Sequence, residues 1–194
     1  MKRAEGCHRA VFLDRDGTIN VERDYLHRVE DFAFIPGAPD AIRRLNEAGF
    51  LVLVVTNQSG VARGFFTMAD VDALHRHMAV SLAAAGAHID GSYVCPHHPT
   101  AGQGPLQKEC SCRKGEPGLL LQGAAEHGID LARSFMVGDK AADLKAGQRA
   151  GCTPLLVLTG YGRDTAENPE FLNVPRFPSL VEAVEYILKG INHD

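Results

Sequence analysis

Asp14-Arg15-Asp16-Gly17-Thr18 sets two carboxylates at i and i+2 beside a glycine. In a loop, two acids at that spacing can serve one reacting centre while the peptide between them turns a carbonyl toward a cation. The same residues also describe an Asp-rich turn, because Asp and Gly dominate turns. Thr56-Asn57-Gln58-Ser59-Gly60 offers hydroxyl and amide donors, with free backbone N–H groups near the glycine, and so suits phosphate oxygens. Val137-Gly138-Asp139-Lys140-Ala141-Ala142-Asp143 carries one acid and a second a helical turn later; Asp139 alone would pass for a helix N-cap. Cys95-Pro96-His97-His98-Pro99 and Cys110-Ser111-Cys112 bring three thiols and a histidine across a loop rich in Gly and Pro. Thiolate and imidazole ligands favour zinc, and a closed Cys₃His tetrahedron is structural, with no open position for water. From Thr100 to Glu109 the loop has few residues able to build a core, and a staple would hold it. Free thiols are the alternative.

The elements that must position these groups follow from the apolar pattern. Ala10-Val11-Phe12-Leu13 is short and ends abruptly at charge and glycine, as a buried parallel strand does where it meets its loop. Leu51–Val55, Phe135–Val137 and Pro154–Leu158 are three more such runs, and a weaker one covers Ile89 to Val94. Between them, helical patterns cover Asp40–Ala48, Thr67–Ala85, Gly118–His127 and Lys140–Ala150, each closing on a glycine. Thr67 is placed as an N-cap with Asp70 three residues on, and Val71, Leu74, Met78 and Leu82 mark a core-facing stripe. Alternating strands and helices, with strands that do not alternate polar and apolar, imply an α/β fold: a doubly wound parallel sheet with right-handed crossovers. Ligands bind such sheets beyond the carboxyl ends of the strands. All three acid or hydroxyl motifs fall there.

The chain has 194 residues, 45% hydrophobic and 23% charged, with a formal net charge of -4. That suits one globular domain over 1–194, with a zinc-binding loop at 95–112, since domains commonly run to about 100 to 200 residues. The charge is mild and no Lys/Arg block appears, which argues against nucleic acid or an anionic membrane as partner. The N-terminus lacks the apolar stretch of a signal peptide, and no apolar run approaches the ~20 residues that span a bilayer. A cytoplasmic location is expected, where the five cysteines stay unpaired, Cys7 and Cys152 being ordinary thiols.

In order and wording the motifs resemble the haloacid dehalogenase-type phosphatases, whose pattern is Asp-x-Asp after strand one, a Ser/Thr after strand two, a Lys and an acidic pair; the match covers almost the whole chain. The resemblance implies a Rossmann-like fold and makes Lys114, in Cys112-Arg113-Lys114-Gly115, the family's lysine. It implies that Asp14 attacks phosphorus to form an aspartyl phosphate. Asp16 then protonates the leaving oxygen and afterwards deprotonates the attacking water. Mg²⁺ is implied on the Asp14 carboxylate, the Asp16 backbone carbonyl and Asp139, with Thr56 and Lys114 on the other phosphoryl oxygens. Asp143 is expected to orient Lys140 or a metal-bound water.

The zinc loop beside the lysine narrows the resemblance to a small branch that includes heptose bisphosphate phosphatases and histidinol phosphatases. The heptose group is the closer likeness, sharing Asp14 to Asn20, Thr56 to Gly60, the zinc cluster, Arg113-Lys114 and Gly138-Asp139-Lys140. It favours His97 over His98 as the zinc ligand, through the Cys-x-His spacing. It also implies that Glu22, Arg23, Asp24 and Tyr25 contact a phosphorylated sugar, that Asn57, Gln58, Ser59 and Lys140 join the substrate-binding set, and that Arg113 recognises a distal phosphate. Gly115 stands where the branch has Pro, a change expected to loosen the Lys114 loop. With no spare segment for a large cap domain, the site should be open and the protein a monomer. The competing readings are histidinol-phosphate hydrolysis and a zinc-stabilised binding module without turnover.

Overall fold

A computed structural model describes residues 8–102 and 104–191, so Cys7 lies outside the described residues. Six strands form one parallel sheet in the order β3-β2-β1-β4-β5-β6: β1 Ala10–Leu13, β2 Leu51–Asn57, β3 Gly91–Cys95, β4 Phe135–Gly138, β5 Thr153–Val157 and β6 Arg176–Phe177. The helices are α1 Ala38–Glu47, α2 Met68–Ala84, α3 Gly118–His127, α4 Ala141–Ala150, α5 Gly162–Ala166 and α6 Leu180–Ile191. The chain builds outward from β1 to β3, then crosses back to set β4 on the other flank of β1. This reversal opens the crevice beyond the carboxyl ends of β1 and β4.

Both faces of the sheet are covered, which is why its strands read as unbroken apolar runs. Val11 and Leu13 join Ile42, Leu45, Met78, Val184 and Ile187 in one buried cluster. Ala10 and Phe12 join Leu53, Leu119, Leu120 and Ala146 in the other. Adjacent residues of β1 thus feed opposite layers, as the two-residue period of a strand requires. Among the described residues, no helix is long and apolar enough to cross a membrane.

The four expected helices are present and end near their glycines. The Thr67–Asp70 capping box forms as the sequence indicates, with each residue's side chain bonded to the other's backbone N–H. Helix α1 begins two residues earlier than its pattern suggested, with Ala38 and Pro39 in its first turn. The sequence reading left the chain after residue 158 without elements, whereas the structure holds α5, β6 and α6 there. Helix α6 is amphipathic, burying Leu180, Ala183, Val184 and Ile187 against the sheet. It is preceded by Ser179, whose N–H and hydroxyl both donate to Glu182.

Strand β1 lacks a full neighbour at its first residue, and Ser134 fills the gap. The fully buried Ser134 hydroxyl accepts from Ala10 N (3.0 Å) and donates to Asp130 O (2.6 Å). Ser134→Ala is therefore expected to leave the buried Ala10 N–H without its partner and to lower unfolding stability by about 1 to 3 kcal/mol. A urea titration that finds no change would refute this.

Candidate active site

The backbone brings the motifs together before any side chain is considered. Asp14 N donates to Val137 O (3.0 Å), locking the loop after β1 to β4. Asp139 follows β4, and Thr56 sits near the end of β2. Gly17 and Gly160 pack on the Asp139 carboxylate so closely that a Cβ on either would lie 2.3 or 2.2 Å from its Oδ2. Asp139 Oδ2 also accepts from Tyr161 N (2.8 Å), so this acid is gripped from the β1 loop and from the loop after β5.

Asp14, Asp139 and Asp143 are buried and each offers an oxygen within 4.8 Å of the others. Lys114, also buried, places Nζ 2.5 Å from Asp14 Oδ1 and 2.7 Å from Asp143 Oδ1. Burial would lower the Lys114 ammonium, but Asp14 and Asp143 outweigh it and hold the group charged. One cation does not balance three acids. Burial and then the Asp143 charge push Asp14 from 3.8 to about 6. Burial and then the Asp14 and Asp143 charges push Asp139 to about 8. Asp139 Oδ1 is moreover buried without a hydrogen-bond partner. An unpartnered carboxylate oxygen among acids that resist ionising is what a hard divalent cation would relieve, so the residues fit Mg²⁺.

Asp16 lines the same pocket as Asp14, Lys114 and Asp143 but is held by a separate set of donors. Its carboxylate receives Arg15 Nη2 (2.9 Å), Asn20 Nδ2 (3.0 Å) and Gln58 Nε2 (2.9 Å). Burial alone would raise its pKa; the fully buried Arg15 and these donors outweigh that and keep it below the ordinary value. His75 abuts Arg15 (3.4 Å) and is kept neutral by burial and the Arg15 charge, its pKa falling to about 4. Gln58 also donates to the Thr56 hydroxyl (2.8 Å), tying the β2 loop to Asp16.

Cys95, His97, Cys110 and Cys112 place their ligand atoms within 4.8 Å of one another. Sulfur separations run from 3.2 to 3.6 Å, and His97 Nδ1 lies 3.2 Å from Cys112 Sγ. Three thiols and an imidazole gathered this closely fit zinc. His98 is turned elsewhere: its Nδ1 accepts from Thr100 N (3.2 Å) and Ala101 N (2.9 Å). Cys152 is a buried thiol outside this group.

Most of the expected substrate-binding residues line one cleft. Glu22, Asp24, Tyr25, Gln58, Ser59 and Lys140 meet there beside Asp16 and Asn57. Tyr25 takes φ 56°, a strained conformation outside glycine, and its ring meets Phe65 edge-on at 4.7 Å. Arg23 is exposed and does not line the cleft. Arg113 faces the zinc loop, donating to His97 O (2.9 Å). Asn57 turns its amide onto the lysine loop, accepting from Lys114 N (2.8 Å) and donating to Lys114 O (3.3 Å).

The expectation that Asp143 orients Lys140 or a metal-bound water is narrowed on its lysine half, and the one for Gly115 is corrected. Asp143 serves the side chain of Lys114, and Lys140 Nζ pairs with Glu22 at 2.6 Å; only the Lys140 backbone N–H reaches Asp143 (2.9 Å). Gly115 does not loosen its loop. It sits at φ 100° and donates to Ala142 O (2.9 Å), a conformation and a bond that Pro could not supply. Sequence reading also missed Tyr161, whose ring lies 4.7 Å from Lys140 Nζ and whose hydroxyl donates to Asp24 (3.2 Å). Its only signal was its place just beyond a strand end.

Comparison with known proteins agrees with this geometry. A HAD-hydrolase-like family model matches residues 111–183. The D-glycero-β-D-manno-heptose-1,7-bisphosphate 7-phosphatase of Yersinia pestis is 49% identical over 152 residues, covering 78% of this chain and 81% of its own. That of Photorhabdus laumondii is 44% identical over 182 residues, covering 93% and 97%. The crystal structure of D,D-heptose 1,7-bisphosphate phosphatase from B. bronchiseptica, complexed with magnesium and phosphate, superposes with a TM-score of 0.83 at 37% identity, covering 94% of this chain and 99% of that one. The chain belongs to the D-glycero-β-D-manno-heptose-1,7-bisphosphate 7-phosphatase family of HAD-like phosphatases.

Proposed function

We propose that the protein removes the 7-phosphate of D-glycero-β-D-manno-heptose 1,7-bisphosphate and leaves the 1-phosphate in place. The observation that carries this is the buried Asp14 carboxylate, held by Lys114 at the switch point of the sheet and flanked by an Asp139 oxygen without a partner. The names of the relatives supply the sugar and its anomer. Histidinol phosphate is disfavoured by them, and an intact acid set disfavours a module without turnover.

Asp14 attacks phosphorus in line, the bond to the sugar oxygen breaks, and an aspartyl phosphate forms. Asp14, Asp139 and the Asp16 carbonyl would hold Mg²⁺, which would supply the positive charge that lets an anionic nucleophile approach an anionic ester. Lys114 and Thr56 steady the transferring oxygens, and Asp143 keeps Lys114 charged and aimed. Asp16 gives its proton to the leaving oxygen, then takes one from the water that opens the intermediate. Caged by Arg15 it rests in the base form, and an approaching phosphate dianion favours its protonation. Lys140 and the loop from Glu22 to Tyr25 orient the sugar. Cys95, His97, Cys110 and Cys112 would hold a structural zinc. All these groups come from one chain, so a monomer suffices, and unpaired cysteines suit a cytoplasmic setting.

Phosphorus NMR of the product tests the reading: the 7-phosphate should appear as free phosphate while the 1-phosphate ester persists. Asp14→Asn should lower turnover by roughly 10⁴-fold or more without unfolding the chain. Release of the 1-phosphate, or ordinary turnover by Asp14→Asn, would overturn it.

The raised carboxyls set a pH dependence. With Asp14 near 6 and Asp139 near 8, the metal-free folded chain holds protons that the unfolded chain has released above about pH 4. Its stability therefore falls as pH rises through that window. Mg²⁺ needs the ionised acids, so saturating Mg²⁺ should raise Tm more at about pH 8 than at about pH 5.5. Equal increments would contradict the assignment of these acids to the cation.

The zinc site should act on stability. Purified protein is expected to carry one zinc per chain by elemental analysis, and Cys110→Ser to lose it. A loss of about 2 kcal/mol would lower Tm by roughly 4 to 8 °C in a chain of this size. Zinc-free wild-type protein of ordinary stability would defeat this.

A further inference from the structure

Asp16 borders two cavities at once. It lines the sugar cleft with Glu22, Asp24 and Tyr25, and it lines the smaller pocket that holds Asp14, Lys114 and Asp143. An ester oxygen that joins a sugar in the first to a phosphoryl group in the second passes beside this carboxylate. Whatever fixes Asp16 therefore bears on proton delivery to the leaving oxygen.

Arg15 does much of the fixing. Its Nε and Nη2 fork onto the Asp16 carboxylate, at 3.2 Å to Oδ1 and 2.9 Å to Oδ2, and Nη2 also donates to Leu26 O (3.3 Å) at the wall of the sugar cleft. The arginine is wholly buried, so each of its N–H groups needs an acceptor from the protein. Among the described residues, the third nitrogen, Nη1, has one acceptor, His75 Nε2 at 3.4 Å. An arginine can only donate, so His75 Nε2 carries a lone pair and the ring is neutral. His75 sits on α2, a helix anchored by the Thr67–Asp70 capping box and by the buried side chains of Val71, Leu74, Met78 and Leu82. The far corner of the guanidinium is thus tied to a rigid element, while its fork grips the loop after β1.

We propose that His75 is a positioning residue for proton transfer: by accepting from Arg15 Nη1 it keeps the rest of the guanidinium forked on Asp16 and that carboxylate at the leaving oxygen. His75 itself lines neither cavity. Deprived of its acceptor, the buried Nη1 turns toward another, and the fork turns with it because the guanidinium is a planar, rigid unit. The inference rests on the assignment of Asp16 as proton carrier in the function proposed above.

The test is the single-turnover rate of leaving-group release, with enzyme in excess, from two substrates. Heptose 1,7-bisphosphate loses an alkoxide that must be protonated, whereas p-nitrophenyl phosphate loses a phenolate that departs without a proton. His75→Phe keeps a ring and removes the acceptor. Its bisphosphate rate should fall by about tenfold or more, part of the roughly 10²- to 10⁴-fold that a positioned acid or base contributes, while its nitrophenyl rate changes by less than about threefold. His75→Gln, whose amide oxygen can accept from Arg15, should recover most of the loss. Tm is recorded for each variant; should His75→Phe not fold, His75→Leu is read by the same criterion. Equal losses on the two substrates, an undiminished bisphosphate rate, or no recovery in His75→Gln overturns the role of His75. Asp16→Asn, measured on the same pair, separates this inference from the reading beneath it. A loss confined to the bisphosphate in Asp16→Asn but absent from His75→Phe defeats His75 alone, whereas equal rates of loss on both substrates in Asp16→Asn defeat the proton carrier and this inference together.

Discussion

Three buried carboxylates and one buried ammonium set the terms for the whole molecule. At an effective dielectric near 20, two carboxylates ~4 to 5 Å apart repel by about 3 to 4 kcal/mol, and Asp14, Asp139 and Asp143 fall within that spacing. Lys114 answers two of them and leaves the third raised and without a partner on one oxygen. Such a cluster survives only on a frame that does not yield. Asp14 is held by a backbone bond across to β4, Asp139 by two glycines and the Tyr161 N–H, and Asp143 by the first turn of α4. The residual charge that this frame tolerates is also its readiness for a cation and a phosphoryl group.

The fold supplies such a frame because strand order brings the ends of β1 and β4 together. Their acids come from positions 14 and 139, far apart in sequence, and only the crossover between the two halves of the sheet makes them neighbours. Asp16, two residues from Asp14, is held in a cage of Arg15, Asn20 and Gln58. Two acids close in sequence thus carry opposite tendencies: Asp14 is raised and Asp16 is lowered. Environment, rather than residue type, sets the two carboxyls apart.

What the sequence made legible was whatever depended on local order. The ends of β1, β2 and β4, the glycine-terminated helices and the Thr67–Asp70 box are short-range features with strong residue signatures. Side-chain direction was less accessible. Spacing could not show that Asp143 reaches Lys114, that Lys140 turns to Glu22, or that Asn57 spends its amide on the Lys114 backbone, because each pair spans two loops whose separation only the sheet defines. Helix α6 did have a readable pattern, Ser179 and Glu182 ahead of an apolar stripe, whereas β6 is two residues long and too short to register. Tyr161 was hidden for a different reason. Its backbone N–H is what grips Asp139, and a backbone contact leaves no mark on residue type.

The zinc cluster and the reacting centre are chemically separate, yet the lysine joins them mechanically. Cys112, Arg113 and Lys114 are consecutive: the first belongs to the thiol cluster, the second ties to His97 O, and the third lies on Asp14. The Asn57 amide clamps Lys114 from the β2 loop, and Gly115 anchors the same turn to Ala142 at the start of α4. Gly115 takes a positive φ to do so, which explains how this chain dispenses with proline there: an N–H bond to a helix replaces the stiffness of a ring. The position of the lysine is consequently set by three independent elements. Loosening the thiol cluster would shift Lys114 against the acids even though, among the described residues, none of the four cluster residues belongs to the acid group.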